Sequence, residues 1–79
     1  MELQLKIAVL RKYELFCYQV ASYLLEKEED AVQATLSSLL QLSQENDFFV
    51  SPENSQRMKA KIISMKAALA VKQSQLETT

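Results

Sequence analysis

The sequence contains no glycine, no histidine and no tryptophan, and it has a single proline and a single cysteine. Without glycine, the chain cannot build the glycine-rich loops that hold phosphates or dinucleotides. Without histidine, it lacks the usual general base and the commonest metal ligand, so the hydroxyls of Ser37, Ser38 and Ser43 have no base to activate them. We therefore expect no catalytic, cofactor-binding or metal-binding residues, and a protein that is not an enzyme.

Cysteine content and hydropathy limit where the protein works. Cys17 is alone, so a disulfide within the chain is excluded, and its apolar helical surroundings predict a small core residue. A lone cysteine is typical of reducing compartments. No apolar run approaches the roughly 18–20 residues that span a membrane, and the start of the chain lacks the pattern of a signal peptide. We expect a soluble, cytoplasmic protein without membrane contacts.

The length of 79 residues allows one domain, residues 1–79. Apolar residues recur at helical spacing over most of it, which predicts an all-α fold, a three-helix bundle with a long first helix. The predicted helices cover residues 3–27, 30–44 and 52–75, and residues 76–79 are expected to fray.

Two of the predicted helices carry a single apolar stripe, which we expect to face the core. The stripe consists of Leu10, Tyr13, Cys17, Val20 and Leu24 in the first helix, and of Met58, Ile62, Met65 and Leu69 in the third. The second helix is apolar on two sides, and so small a protein has little else with which to cover the second side. Either it is wedged between the other two helices, or its second side binds a partner.

Local signals place the turns between the helices. The acidic residues 28–30 are expected near the start of the second helix, where the helix dipole favours negative charge. Residues 44–54 are predicted to be a loop, with the apolar residues 48–50 packed back under the helices. Ser51 is expected to cap the third helix, and Pro52 to lie in its first turn.

Basic residues are concentrated on the third helix, since five basic and no acidic residues lie within 54–76. Such a face can follow a phosphate backbone, and Lys59, Lys61 and Lys66 are the candidates for contacts with DNA phosphates. A solvated lysine face explains the charge equally well. Phosphate contacts position a protein without specifying a sequence. The acidic isoelectric point of about 5.3 and the lack of a recognisable helix-turn-helix pattern argue against an autonomous DNA-binding regulator.

Residues 24–31, Leu-Leu-Glu-Lys-Glu-Glu-Asp-Ala, resemble the second conserved region of bacterial sigma factors, above all those of the extracytoplasmic-function class. That family commonly has Leu-Leu-x-x-Glu-Glu-Asp-Ala at this place. In the same register, its Asp-x-Phe falls on residues 47–49, its Trp-Leu-x-x-Ile-Ala on 58–63, and its upstream tyrosine-containing helix on 13–21. The resemblance implies a helical fold like sigma region 2.

The resemblance also implies that the helix after the acidic run docks on the clamp helices of the largest subunit of RNA polymerase. The corresponding residues in this chain are Asp30, Gln33, Leu36, Ser37 and Leu40. The family's acid pair and glutamine are replaced here by Val32, Gln33 and Leu36, so the face is more apolar than is usual. Met58 and Met65 replace the tryptophan and asparagine that help to open promoters, which puts promoter recognition by this chain in doubt.

A complete sigma factor has a second helical domain, whereas this chain resembles only the first. The resemblance therefore implies a small co-sigma subunit, similar to the regulatory partner of sigma-O type two-subunit factors. Its expected role is transcription co-activation: it would bind the polymerase clamp and pair with a separate sigma-like subunit, with promoter DNA as a further contact in the complex. The alternatives are a small helical adaptor that self-associates through its first helix, and an inhibitory sigma-like decoy.

Overall fold

The computed structural model describes residues 2–77, which form four α-helices and, over that range, no strand. The helices are α1 (Leu3–Leu24), α2 (Glu28–Ser43), α3 (Asn46–Val50) and α4 (Glu53–Glu77). The long helices α1, α2 and α4 all pack against one another, and the short α3 packs on α4. They form an elongated all-α bundle of 43 × 21 × 17 Å. None of the described helices is long and apolar enough to cross a membrane.

The ends of the long helices differ from the predicted bounds for local reasons. α1 stops at Leu24, earlier than predicted, because the extended backbone of Leu25 turns that side chain into the core. α2 begins at Glu28, so all three acids lie in its first turn, close to the positive end of the helix dipole. α4 extends through Glu77, two residues beyond the predicted end at 75. Of the residues predicted to fray, 78–79 lie outside the described part of the chain.

The segment predicted to be a loop contains the short helix α3. Its residues Phe48 and Phe49 are buried, as predicted, and the Phe48 ring meets that of Tyr13 edge-on with centroids 5.6 Å apart. The same prediction is wrong for Val50, which is 75% exposed at the end of α3. Ser51 was predicted to cap α4, but its hydroxyl donates to the carbonyl of Asp47 at 2.6 Å. The serine therefore closes α3 rather than opening α4.

α4 begins one residue later than predicted, and Pro52 lies just before its first residue rather than within its first turn. The carbonyl of Pro52 accepts the first helical hydrogen bond, from the backbone N–H of Gln56 at 2.9 Å. Proline suits this place, because its missing N–H would have no helical partner there.

The core is aromatic at one end and made of small residues at the other. The end near α3 contains Tyr13, Cys17, Leu42, Phe48, Phe49, Ala60 and Ile63. The opposite end contains Ala21, Leu25, Ala31, Ala34 and Ala68. Small side chains at helix contacts allow the axes to approach closely. The bundle is therefore narrow, and many of its larger apolar residues remain outside.

α4 presents a different face to the core from the one predicted. Met58, Ile62, Met65 and Leu69, the predicted inward stripe, are all exposed, from 39% for Met65 to 65% for Met58. Among residues 53–76 of α4, whose burial the structure describes, the buried ones are Gln56, Ala60, Ile63, Ser64 and Ala68. The predicted stripe is wrong because α4 contacts α1 and α2 mainly through the small side chains of Ala60, Ser64 and Ala68, and the larger apolar side chains of the predicted stripe lie on its other side.

The predicted stripe of α1 does face the interior. Tyr13 and Cys17 are buried, and Leu10, Val20 and Leu24 are half-buried at its edges. Ala21, which the stripe did not include, is fully buried beside them.

Candidate interaction surfaces

Four of the residues predicted to dock on a partner lie together on the outer face of α2. Gln33, Leu36, Ser37 and Leu40 are all exposed. Leu36 and Leu40 are neighbours one helical turn apart, and each has 63% of its surface exposed. They face solvent because α2 packs on α1 and α4 through its other side, where Ala31, Ala34 and Leu42 are buried. We call the exposed set Gln33, Leu36, Ser37 and Leu40 the α2 face.

The fifth predicted residue, Asp30, lies at the edge of the α2 face and is half-buried. Its carboxylate oxygen Oδ2 accepts a hydrogen bond from Nε2 of Gln75 at 2.5 Å, which joins the start of α2 to the end of α4. Asp30 therefore helps to position α2 against α4.

A groove between α1 and α2 adjoins the α2 face. It is lined by Arg11, Glu14, Leu15 and Tyr18 of α1 and by Val32, Thr35, Leu36 and Leu39 of α2. Leu15 and Val32 are exposed, so apolar side chains of two helices meet at one opening. The sequence does not single out Leu15, because this residue lies outside the α1 stripe and only the packing of α1 on α2 brings it to the same groove as Leu36. Contiguous exposed apolar surface of this kind is typical of binding sites.

The outer side of α4 forms a second exposed apolar surface. Met58, Ile62, Met65 and Leu69 recur at four-, three- and four-residue intervals, and we call these four residues the outer seam. Beside it, Phe16, Val20 and Tyr23 of α1 form one wall of an apolar groove that Met65 and Lys61 close on the α4 side. The helical spacing of the outer seam predicted that it faces the core, whereas it faces outward.

The three lysines that were candidates for phosphate contacts do not form one stripe. Lys59 is paired through Nζ with Oε1 of Glu45 at 3.0 Å. Lys61 borders the groove on the α1 side, next to Phe16. Helical spacing puts Lys59 and Lys66 on the opposite side of the outer seam from Lys61. The lysines therefore flank an apolar surface, and one of the charges is already balanced.

Cys17 is fully buried on the inner side of α1. Burial raises the pKa of its thiol, and a hydrogen bond with Ser64 lowers that pKa to a smaller extent. A buried, protonated thiol is a poor nucleophile, so Cys17 is a packing residue, as predicted. Within the part of the chain that the structure describes, no group of three or more His, Cys, Asp or Glu side chains is placed to hold a metal ion.

No family model, no curated protein and no solved structure matches this chain. The resemblance to sigma factors therefore rests on residues 24–31 and on the positions in register with them. The two exposed surfaces, one on α2 and one on α4, are independent of that resemblance, because they follow from how the helices pack.

Proposed function

We propose that this protein is a transcription co-activator of the co-sigma type. In this role it docks through the α2 face on the clamp helices of the largest RNA polymerase subunit and pairs with a separate sigma-like subunit. The supporting observation is the exposure of Leu36 and Leu40, each 63%, at the positions where the sigma-factor resemblance expects the polymerase to bind. Neighbouring exposed leucines favour aggregation unless a partner covers them, so a docking role explains why they lie there.

The chemistry of the α2 face suits a helical partner. Leu36 and Leu40 form an apolar centre, and the α1–α2 groove beside them provides a concave surface bordered by Leu15. Gln33 and Ser37 supply hydrogen-bonding groups at the rim of this centre. An apolar centre with a polar rim is the usual arrangement in protein interfaces. A helix presents a ridge of side chains that fits a groove of this kind, which supports the clamp helices as the partner.

The test measures binding of the purified chain to RNA polymerase core enzyme by fluorescence anisotropy. We expect Leu36→Glu to abolish binding, because it places a charge at the apolar centre, while circular dichroism shows unchanged helicity. Leu69→Glu is the matched control, since Leu69 is an exposed leucine on α4, away from the α2 face. The proposal is wrong if Leu36→Glu binds like the wild type, or if Leu69→Glu weakens binding to the same extent.

A self-associating helical adaptor is the second candidate, and exposed apolar residues on α1 favour it. Leu3 and Ile7 are one turn apart and are exposed by 70% and 43%. This function requires a dimer whose fraction rises with protein concentration. The double variant Leu3→Gln with Ile7→Gln should remove that dimer. Light scattering that gives a monomer at every concentration would exclude it.

An inhibitory decoy would use the same α2 face as a co-activator. In vitro transcription with polymerase and a sigma-like subunit separates the two functions, because a co-activator raises transcript yield on addition of the chain and a decoy lowers it.

A further inference from the structure

The outer seam of α4 has the spacing of a coiled-coil contact. Its residues Met58, Ile62, Met65 and Leu69 alternate at intervals of four and three residues, and all four are exposed. Such a stripe fits against another helix, because its side chains insert between those of the facing helix. α1 and α2 leave the outer seam uncovered, because both pack on other sides of α4.

The groove beside the outer seam gives a second helix a place to lie. Phe16, Val20 and Tyr23 line it from α1, and Tyr23 stands 90% exposed at its rim. An amphipathic helix laid along this groove would touch the outer seam and α1 together, which is a common mode of peptide recognition. The methionines Met58 and Met65 add adaptable apolar contacts.

The charges around the outer seam select the occupant of the groove. Lys59, Lys61 and Lys66 occupy the positions that flank the apolar stripe, and residues 54–76 contain no acid. In paired helices the charges at these flanking positions determine which partner is accepted. Because Lys59 is already paired with Glu45, discrimination between partner helices by charge depends mostly on Lys61 and Lys66. The complementary helix carries Glu or Asp at its own flanking positions.

A second copy of this chain is a poorer occupant than a different protein. Two-fold pairing brings the same patch of both copies together. The lysines of one copy would then approach those of the other, and no carboxylate lies among the described residues that line the groove. Like charges brought together in an interface destabilise it.

We infer that the outer seam binds an amphipathic helix of a different protein, apolar along its stripe and acidic at the flanking positions. This inference deepens the proposed function, because it assigns a surface to the second of the two partners. The inference rests on the proposed function only for the identity of the partner, because the residues that would bind the helix lie on α4 and α1 and not on the α2 face. Its test therefore uses neither polymerase nor a sigma-like subunit.

The experiment measures binding of the full chain to two labelled helical peptides by fluorescence anisotropy. Both peptides are about three heptads long with Leu and Ile at the seam positions, and they differ only in having Glu or Lys at the flanking positions. We expect the Glu peptide to bind at least about tenfold more tightly than the Lys peptide, and the difference to shrink as salt screens the charges.

Two double variants of α4 and one single variant of α2 show which surface of the chain binds the peptides. Ile62→Gln with Leu69→Gln removes apolar contacts at exposed positions, and we expect it to abolish binding of both peptides. Lys61→Glu with Lys66→Glu reverses the flanking charges, and we expect it to invert the preference in favour of the Lys peptide. Leu36→Glu is the control on α2 and leaves peptide binding unchanged. Circular dichroism checks that each variant keeps its helicity.

The inference is overturned if the wild-type chain binds neither peptide or binds both equally. It is also overturned if the charge-reversed variant keeps the preference for the Glu peptide. A dimer of the chain that Ile62→Gln with Leu69→Gln disrupts would show that a second copy covers the outer seam instead. A further contrary result is that the chain binds duplex DNA in a salt-dependent way but does not bind the Glu peptide. If Lys61→Glu with Lys66→Glu removes that DNA binding, the surface binds phosphates instead of a helix.

Discussion

The hydroxyl of Tyr13 donates a hydrogen bond to Oε1 of Gln56 at 3.0 Å inside the aromatic end of the bundle. The same Gln56 donates through Nε2 to the carbonyl oxygen of Phe48 at 2.9 Å. One buried glutamine therefore joins α1, α3 and α4, and both ends of its amide have a partner. The edge-on contact of Tyr13 with the Phe48 ring adds to this link.

Replacing Tyr13 by phenylalanine tests the hydrogen bond between Tyr13 and Gln56. The change leaves Oε1 of a buried glutamine without its donor, which costs about 1–3 kcal/mol of the free energy of unfolding. Urea denaturation followed by circular dichroism measures the loss. Tyr23→Phe is the matched control, since Tyr23 is 90% exposed, and we expect it to leave the stability unchanged. Equal stabilities of the two variants would contradict the role given to this bond.

Ala60 tests whether close helix packing determines which face of α4 is buried. Its side chain is fully buried in the core, so Ala60→Leu overfills the space and costs about 1–3 kcal/mol or more. Ala70→Leu makes the same change at an exposed position of the same helix, where we expect almost no effect. Thermal or urea melts compare the stability of the two variants. An Ala60→Leu protein as stable as Ala70→Leu would argue against close packing at Ala60.

The two apolar stripes of α4 should respond to mutation in opposite ways. Ile63→Ala removes a buried side chain and is expected to cost about 2–5 kcal/mol. Met58→Gln changes a residue that is 65% exposed and is expected to alter the stability by less than about 0.5 kcal/mol. Urea midpoints of the two variants give the comparison. A large loss of stability in Met58→Gln would show that the outer seam is part of the core.

Cys17 should react with thiol reagents only through opening of the bundle. It is fully buried, and its burial raises the pKa of the thiol, so both access and the thiolate fraction are low in the folded chain. We expect slow labelling of the native protein and fast labelling in denaturant. Rapid labelling in native buffer would contradict the packing described for α1.

The raised pKa of the Cys17 thiol also makes stability depend on pH. The unfolded chain ionises this thiol at a lower pH than the folded chain does. The free energy of unfolding therefore keeps the full contribution of the buried thiol below its ordinary pKa of 9.0, and falls as the pH rises above that value. Urea melts between pH 7 and pH 10 measure the decline, and Cys17→Ala should flatten it. Parallel declines in the wild type and Cys17→Ala would assign the effect to other groups.

Some of the architecture follows directly from local sequence. The acids at 28–30 predicted the start of α2, because a helix N-terminus attracts negative charge in any fold. The adjacent residues Phe48 and Phe49 were predicted to be buried, because exposing two aromatic rings to water is costly, and both are buried. α3 escaped prediction because five residues are too few to show a helical period.

The candidate docking face was also predicted from the sequence. α2 has more apolar positions than one buried face needs, and their spacing alone left open whether the second side is covered by the other helices or faces outward. The resemblance to sigma factors pointed to Leu36 and Leu40, and both are exposed. The contribution of Leu15 required the packing of α1 on α2, because residues distant in sequence share a surface only through tertiary contacts.

The sequence by itself determined the all-α class and the order of the long helices, because both depend on local spacing and composition. Only the tertiary structure decided which stripe of α4 is buried. Both stripes recur at helical intervals, and hydrophobicity alone favours the one with Met58 and Ile62. The buried stripe carries Ala60 and Ala68 instead, because the distance between packed helices is set by the size of the side chains that fit between them.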